Sequence, residues 1–266
     1  KKLIICASCL LDKTDEIIQR LSESNRNVKH IIFSERSGKI KIINSLTEDA
    51  DGDVLILTDA NVLFTENTIS ALLKHFNDPN VGLVDSNMKN FGMKSSGISI
   101  PEKTYISIEG KLKHAEGKMW GTMMGPFGGC FAMRKDLYSK IPETFLVDDF
   151  FLNMKVLESN YNCLNEPEAI VYEDVSNNLK AEFLRKSRIS AGNFQNLAYF
   201  SSNLLKFNRL TFVFLSHKIL RWLSPFFIVL IGLMLCFTYE ESILNLSLAI
   251  GYLILFGFVW FDLLLL

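Results

Sequence analysis

Val54-Leu55-Ile56-Leu57-Thr58-Asp59-Ala60-Asn61 is the stretch on which the reading of this chain turns. Four aliphatic residues in succession predict a strand, closed by two polar residues with hard oxygens, Asp59 and Asn61. Similar apolar runs occur at Leu3–Ala7, Val28–Phe33 and Val81–Val84, and between them Glu16–Leu21, Lys39–Leu46 and Asn67–Phe76 carry helical spacing. Strand and helix alternating at this pitch predict an α/β fold with a mostly parallel sheet flanked by helices. Ligands in such sheets sit beyond the carboxyl ends of the strands. The residues placed there are Ser8 and Cys9, Ser34 to Lys39, Thr58 to Asn61, and Asp85.

The composition divides the chain in two. Its 266 residues hold 28 Lys and Arg against 29 Asp and Glu, with a mean hydropathy of +0.19. From His217 onward only Lys218, Arg221, Glu240, Glu241 and Asp262 are charged. The part before it is balanced in charge, so no positive field points to a nucleic-acid partner. Five cysteines are too few for a disulfide scaffold in a chain of this length. Cys6 and Cys9 have no second pair to complete a zinc site, and buried thiols are preferred to a redox pair. The start at Lys1, without Met and directly ahead of a strand, suggests a missing N-terminal strand, and no secretory signal is present.

Trp222 to Tyr239 and the stretch between Glu241 and Asp262 are uncharged and each long enough to cross a hydrocarbon core of about 30 Å as helix. Two transmembrane helices are expected, about 222–239 and 242–262. Core helices of a soluble protein are the alternative. Lys206, Arg209, Lys218 and Arg221 cluster before the first span, which puts the preceding domain on the cytoplasmic side. Residues 203–219 are expected to lie along the membrane surface as an amphipathic segment. The domains are then 1–202, 203–219 and 220–266.

Four stretches carry candidate chemistry. Asp59 and Asn61 suit a divalent cation, Mg2+ or Mn2+, that carries a diphosphate, with an Asx turn as the plainer alternative. Asp148-Asp149 opens an apolar helix, where carboxylates favour the dipole. Repulsion between the two also raises the pKa of one, making it a candidate general base for a sugar hydroxyl. Gly125 to Gly129 precedes an apolar strand and either lets backbone approach a ligand or simply turns. Arg185 and Arg188 on a helical segment are a phosphate clamp or a solvated face. Glu109 and Glu116 share a helix face and are read as solvated, with the border of an acceptor cleft as the alternative, and His30, His75 and His114 as structural or surface residues.

In order, these pieces resemble the family 2 glycosyltransferases of membrane-bound type, which have the GT-A nucleotide-sugar fold. The resemblance rests on Arg36-Ser37-Gly38-Lys39 with Asn44, Thr58-Asp59-Ala60-Asn61, and Gly128-Gly129 before the strand ending at Arg134. It continues through Val147-Asp148-Asp149-Phe150, Tyr172-Glu173, Arg185-Lys186-Ser187-Arg188-Ile189 with Ala191-Gly192-Asn193, and His217-Lys218 to Arg221-Trp222. It implies that Asp59 and Asn61 hold the metal and diphosphate, and that Lys39, Arg185 and Arg188 bind the donor. Asp149 takes the place of the catalytic base, and Gly129, Asp148 and Ile189 lie on the acceptor side. The implied activity is inverting transfer from a nucleotide-diphosphate sugar, a UDP-sugar first, to a lipid, lipid-linked glycan or polysaccharide at the membrane.

The chain also departs from that pattern. No Pro-x-Tyr-Asn-Glu-like loop is present, and Ser8 to Thr14 replaces an Asp-rich turn, which leaves the uridine preference open. Ile189 stands where Trp is commonest, which speaks against processive synthesis. A processive synthase subunit and a non-catalytic, membrane-tethered nucleotide-sugar-binding relative are the competing functions.

Overall fold

The structure, a computed structural model, describes residues 3–8, 13–33, 37–91, 99–174, 179–238, 240 and 242–264. Cys9, Ser34, Arg36, Tyr239 and Glu241, named above, lie outside the described residues. The first half alternates as its apolar runs predict: β1 (Leu3–Ser8), α1 (Thr14–Ser24), β2 (Val28–Phe33), α2 (Lys39–Asp49) and β3 (Val54–Thr58). β1 and β2 pair in parallel, from Leu3 opposite Val28 to Ser8 opposite Phe33. There follow β4 (Val62–Phe64), α3 (Thr68–Leu73), β5 (Val81–Phe91), α4 (Ser99–Trp120), β6 (Cys130–Arg134), α5 (Asp148–Glu158), β7 (Asn162–Asp174) and α6 (Leu179–Tyr199).

Among the described residues the second sheet has the order β3-β6-β5-β7-β4. β5 and β7 are parallel, β6 is antiparallel to both β3 and β5, and β4 is antiparallel to β7. The α/β architecture is that expected, but the sheet is more mixed than the alternation implied. β3, β5 and β7 run one way, and β6 and β4 run against them. A strand that is not delivered by a right-handed helical crossover is free to pair antiparallel.

Period-two alternation divides the core between the two faces of this sheet. Leu83, Phe131 and Met133 face one apolar cluster with α5, while Val84, Cys130 and Ala132 face the other with Leu72 and Val171. β5 runs well beyond Val84, where Asp85 suggested an end. Asp85, expected at a strand mouth, is instead fully buried in mid-strand. It accepts hydrogen bonds from Lys113 Nζ at 3.3 Å, the Phe127 N–H at 3.3 Å and Asn165 Nδ2 at 3.4 Å. A buried carboxylate is tolerable when paired and bonded in this way.

The C-terminal part is helical. α7 (Arg209–Val213), a π-helical turn (Phe214–Ile219) and α8 (Leu220–Thr238) form one continuous helix, followed by α9 (Ile243–Leu264). The segment expected along a membrane surface puts Val213, Phe214 and Ile219 into the core of the protein itself and leaves Leu205, Phe207 and Phe212 outward. α9 lies against α8, with Gly232 leaving room for the Tyr252 ring, whose hydroxyl donates to the Ile228 carbonyl at 2.9 Å. Among the described residues one helix, Arg209–Thr238, is long and apolar enough to cross a membrane, and Ile243–Ile254 is a shorter apolar stretch. A core helix would bury its side chains, whereas Phe226, Leu230 and Met234 are exposed.

One polar side chain fixes the helix that carries Lys39. Asn44, buried on α2, donates from Nδ2 to the Ile141 carbonyl at 2.9 Å and accepts from the Tyr138 hydroxyl at 2.6 Å and the Ile141 N–H at 3.0 Å. Asn44→Ala leaves buried groups unsatisfied, and chemical denaturation is expected to show a loss of about 2–3 kcal/mol.

Candidate active site

Lys39 opens α2 just after Gly38, whose φ of 76° is a turn conformation that glycine adopts without strain. Its ammonium lies 3.0 Å from Asp59 Oδ1 and 3.2 Å from Asp148 Oδ2. Three elements therefore converge on one cation: the start of α2, the mouth of β3 and the start of α5. Burial alone would lower the Lys39 pKa, but the charges of Asp148, Asp59 and Asp149 raise it above the ordinary lysine range. Lys39, Asp148 and Arg188 line a cleft of about 250 Å³ together with Ser37, Gly38 and Leu146. A wider groove of about 610 Å³, beside α3 and lined by Asn67, Lys74 and Glu168, contains none of the residues singled out in the sequence.

Asp149 follows on the next position of α5. Its Oδ1 accepts the Phe150 N–H at 2.6 Å. Its Oδ2 lies 2.5 Å from the point where Gly128, at a φ of 80°, would carry a Cβ. The glycine loop thus runs directly over the carboxylate, and any side chain at position 128 would displace it. Burial, and then the charge of Asp148, push Asp149 up to about 7, against the opposing pull of Lys39, the Phe150 N–H and Lys113. Of the two neighbouring carboxylates, Asp148 is tied to Lys39 beside Asp59, whereas Asp149 lies under the glycine loop.

Gly129 sits at the other end of the loop, where its carbonyl accepts the Asp59 N–H at 3.0 Å and the Thr58 hydroxyl at 3.1 Å. This fixes the β3 mouth to β6. Asn61 donates from Nδ2 to Glu173 Oε1 at 3.1 Å, which leaves its own carbonyl oxygen and the carboxylate of Asp59 as hard donors. Among the described residues no group of three or more His, Cys, Asp or Glu forms a complete metal cage. A donor set of one carboxylate and one amide oxygen fits Mg2+ or Mn2+ of the kind completed by water and substrate phosphate. Glu173 belonged to a quoted motif without a role, and only its register opposite Val62 brings it to Asn61.

α6 is bolted to the loop that precedes Asp148. A Cβ on Gly192 would lie 2.4 Å from Val147 Cγ2, Asn196 Nδ2 donates to the Val147 carbonyl at 3.3 Å, and Gln195 bridges Thr144 and Leu146. From this helix Arg188 reaches the Leu146 carbonyl at 3.4 Å, at the cleft. Arg185 instead pairs with Glu182 on its own helix at 2.7 Å, and Ile189 is half-buried. Of the two arginines grouped in the sequence, only Arg188 lines the cleft.

Glu109 and Glu116, read as solvated, are buried. Glu109 accepts from Lys218 at 2.8 Å, Arg221 at 2.7 Å and His217 at 3.2 Å, and Glu116 faces His217 Nδ1 at 2.7 Å. Burial pushes the Glu109 pKa up, but the His217 hydrogen bond, the Lys218 charge and the Arg221 bond hold it well below the usual carboxylate range. The sequence marked His217, Lys218 and Arg221 but not their pairing with Glu109 and Glu116, because helical periodicity does not say which face another helix will cover. It also means that two of the four basic residues before the apolar helix are consumed in internal ion pairs.

The profile described as Glycosyl transferase family 2 matches residues 1–142. The chain belongs to this family. The matched segment holds Lys39, Asp59, Asn61 and Gly129 and ends before Asp148. A mannosyltransferase from Pyrobaculum calidifontis, solved with GDP-Man and Mn2+, is similar in structure, with a TM-score of 0.61 at 20% identity over 74% of this chain and 55% of that one. The chain therefore spans about half the length of that protein. GalNAc-T7, solved with UDP, GalNAc and Mn2+, aligns at a TM-score of 0.46 and 13% identity over 65% of this chain and 38% of the other. A search of the curated proteins gives no match. The GT-A-like fold and the family agree with the resemblance carried by the motifs.

In this family 2 member Lys39 offsets three carboxylates, so its removal is felt only where they are ionised. Lys39→Met is expected to lower stability by about 1 kcal/mol at pH 8, a figure discounted for the partial exposure of the ammonium. The loss should shrink as pH falls through 7 and Asp149 takes up its proton. Thermal unfolding at pH 8 and pH 5.5 checks this, and an equal loss at both values would dismiss the coupling of Lys39 to Asp149.

Proposed function

We propose that this protein is a membrane-anchored inverting glycosyltransferase that moves a sugar from a nucleoside-diphosphate sugar to a lipid or lipid-linked glycan acceptor. The observation that carries this reading is the convergence of Lys39, Asp59, Asp148 and Asp149, from three distant stretches of sequence, beneath a glycine loop and beside Arg188. Residues 1–202 form the transferase part, and the apolar helices from about residue 220 anchor it. In this reading the exposed Lys206 and Arg209 ahead of those helices favour a cytoplasmic site.

Lys39 and Arg188 hold the diphosphate, with Arg185 further along the same helix. A divalent cation on Asp59 and Asn61 would neutralise the diphosphate charge. Lys39, shared between Asp59 and Asp148, would keep its pairing with Asp148 when Asp59 serves the cation. Asp149 takes the proton from the acceptor hydroxyl as its oxygen bonds to the anomeric carbon. The bond from that carbon to the diphosphate oxygen breaks, and its electron pair leaves with the nucleoside diphosphate. Configuration inverts, and no covalent sugar-enzyme intermediate forms. Gly128 keeps the path to Asp149 free of side chains. The mannosyltransferase of similar fold, solved with GDP-Man and Mn2+, supports a nucleotide-sugar donor and a divalent ion.

The test is release of nucleoside diphosphate from a panel of nucleotide sugars, with Mg2+ or Mn2+, by the full chain in detergent. A base with a pKa near 7 works only once deprotonated, so kcat/KM should rise with pH through about 7 and then level. Asp149→Asn should lower turnover about 100- to 10,000-fold with nucleotide binding retained. Equal loss of binding and turnover would overturn its role as base. Asp59→Ala should abolish the metal-dependent part of nucleotide binding in equilibrium titrations. Binding in the wild type that is indifferent to metal would dismiss the cation site.

A further inference from the structure

α4 buries Glu109, Lys113 and Glu116 on its inner side, and beside that face it shows a second one of opposite character. Tyr105, Ile108, Leu112 and Met119 recur at helical spacing and are exposed, Ile108 by 62% and Met119 by 67%. A solvated helix face would be polar here, and a contiguous exposed apolar stripe marks a contact surface.

The position of this stripe indicates what it touches. α4 runs antiparallel to residues 212–221. The Tyr105 ring lies 5.8 Å from the Arg221 guanidinium, Glu116 meets His217, and Trp120 stands edge-on to Phe212 at 6.1 Å. The stripe therefore continues onto Phe212, Leu215 and Leu220, which are exposed on the helix that becomes α8. That helix has 30 residues. At 1.5 Å per residue it is about 45 Å long, against about 30 Å of hydrocarbon, so its first turns lie at the headgroups. α4, clamped beside them by buried ion pairs, shares that depth. Lys111 and Lys118 border the stripe on its far side and are exposed, as are Lys206 and Arg209 nearby. Pro225 cannot donate to the Arg221 carbonyl, which accepts the Ser224 hydroxyl at 2.7 Å instead, so the helix is free to change tilt between the two levels.

We propose that α4 is a membrane-contact helix: its Tyr105-to-Met119 face sits in the headgroup layer of the bilayer that holds α8, with Lys111 and Lys118 on lipid phosphates. This rests on the membrane-anchored reading above. Its consequence is that the glycine loop, tied to α4 through Lys113 and Phe127, is held close to a lipid-borne acceptor.

The full chain, with Cys6, Cys9 and Cys236 changed to Ser, is reconstituted in vesicles of phosphatidylcholine and phosphatidylglycerol. An environment-sensitive fluorophore is placed on Ile108→Cys, Met119→Cys, Leu230→Cys on α8, or the exposed Glu23→Cys on α1. Quenching by lipids labelled near the headgroup is expected to lower emission at 108 and 119 at least twofold and to leave position 23 unchanged, while position 230, about mid-span, is read with lipids labelled at the end of the acyl chain. If Leu230 is quenched while 108 and 119 behave like 23, the anchor stands and the α4 contact is overturned. If Leu230 is also unquenched, both readings fall. Efficient disulfide formation between Ile108→Cys copies, with no lipid quenching there, would assign the stripe to a second copy of the chain and overturn the lipid contact.

Discussion

Three carboxylates, Asp59, Asp148 and Asp149, stand around the single ammonium of Lys39, and the geometry of the site depends on that concentration of charge. Uncompensated, such a group would repel itself apart or protonate. With Lys39 between Asp59 and Asp148, α2, the β3 mouth and the start of α5 are drawn to one point. Burial, and then the charge of Asp148 that Lys39 offsets only in part, hold the proton of Asp149 up to about 7. A carboxyl poised near neutrality beneath open backbone is what proton removal from a sugar hydroxyl requires. Electrostatic frustration at this site and the proposed chemistry are therefore the same arrangement described in two ways.

A second group of charges does structural work. Asp85 with Lys113, and Glu109 with His217, Lys218 and Arg221, are withdrawn from water on the inner face of α4. Removing one partner of such a set leaves an uncompensated buried charge, so α4 and the helix leading into α8 are not free to slide past each other. Lys113 also places its ammonium 3.3 Å from the centre of the Phe127 ring, in the loop that covers Asp149. Phe150, adjacent to Asp149, packs at 5.3 Å against Trp222 at the start of the apolar helix. The proposed base and the proposed anchor thus belong to one packed unit, which suits an enzyme whose acceptor lies in the membrane.

The sequence was most legible where local rules govern. Apolar runs gave β1, β2 and β3 to within a residue, and helical spacing gave α1 and α2. Where burial of charge decided the outcome, it misled. β5 extends through Asp85 because Lys113 reaches it from a helix far along the chain, and Glu109 is dry because residues 217 to 221 cover it. Neither partner is visible from the local pattern. Arg185 and Arg188 read as one motif and share a helix face, yet Glu182 holds the Arg185 guanidinium in an ion pair and Arg188 alone of the two lines the cleft.

By itself, the sequence determined the α/β class, the family, the apolar C-terminal part and the residue types from which a site is built. These follow from periodicity, composition and short motifs, all of which act over a few residues. Only the tertiary structure decided the mixed direction of the sheet, the union of Asp59 and Asp148 on Lys39, the passage of Gly128 over Asp149 and the burial of Glu109. Each of these depends on which surfaces meet. That is settled by the packing of distant elements and the need to pair every buried charge, and no local stretch of sequence contains it.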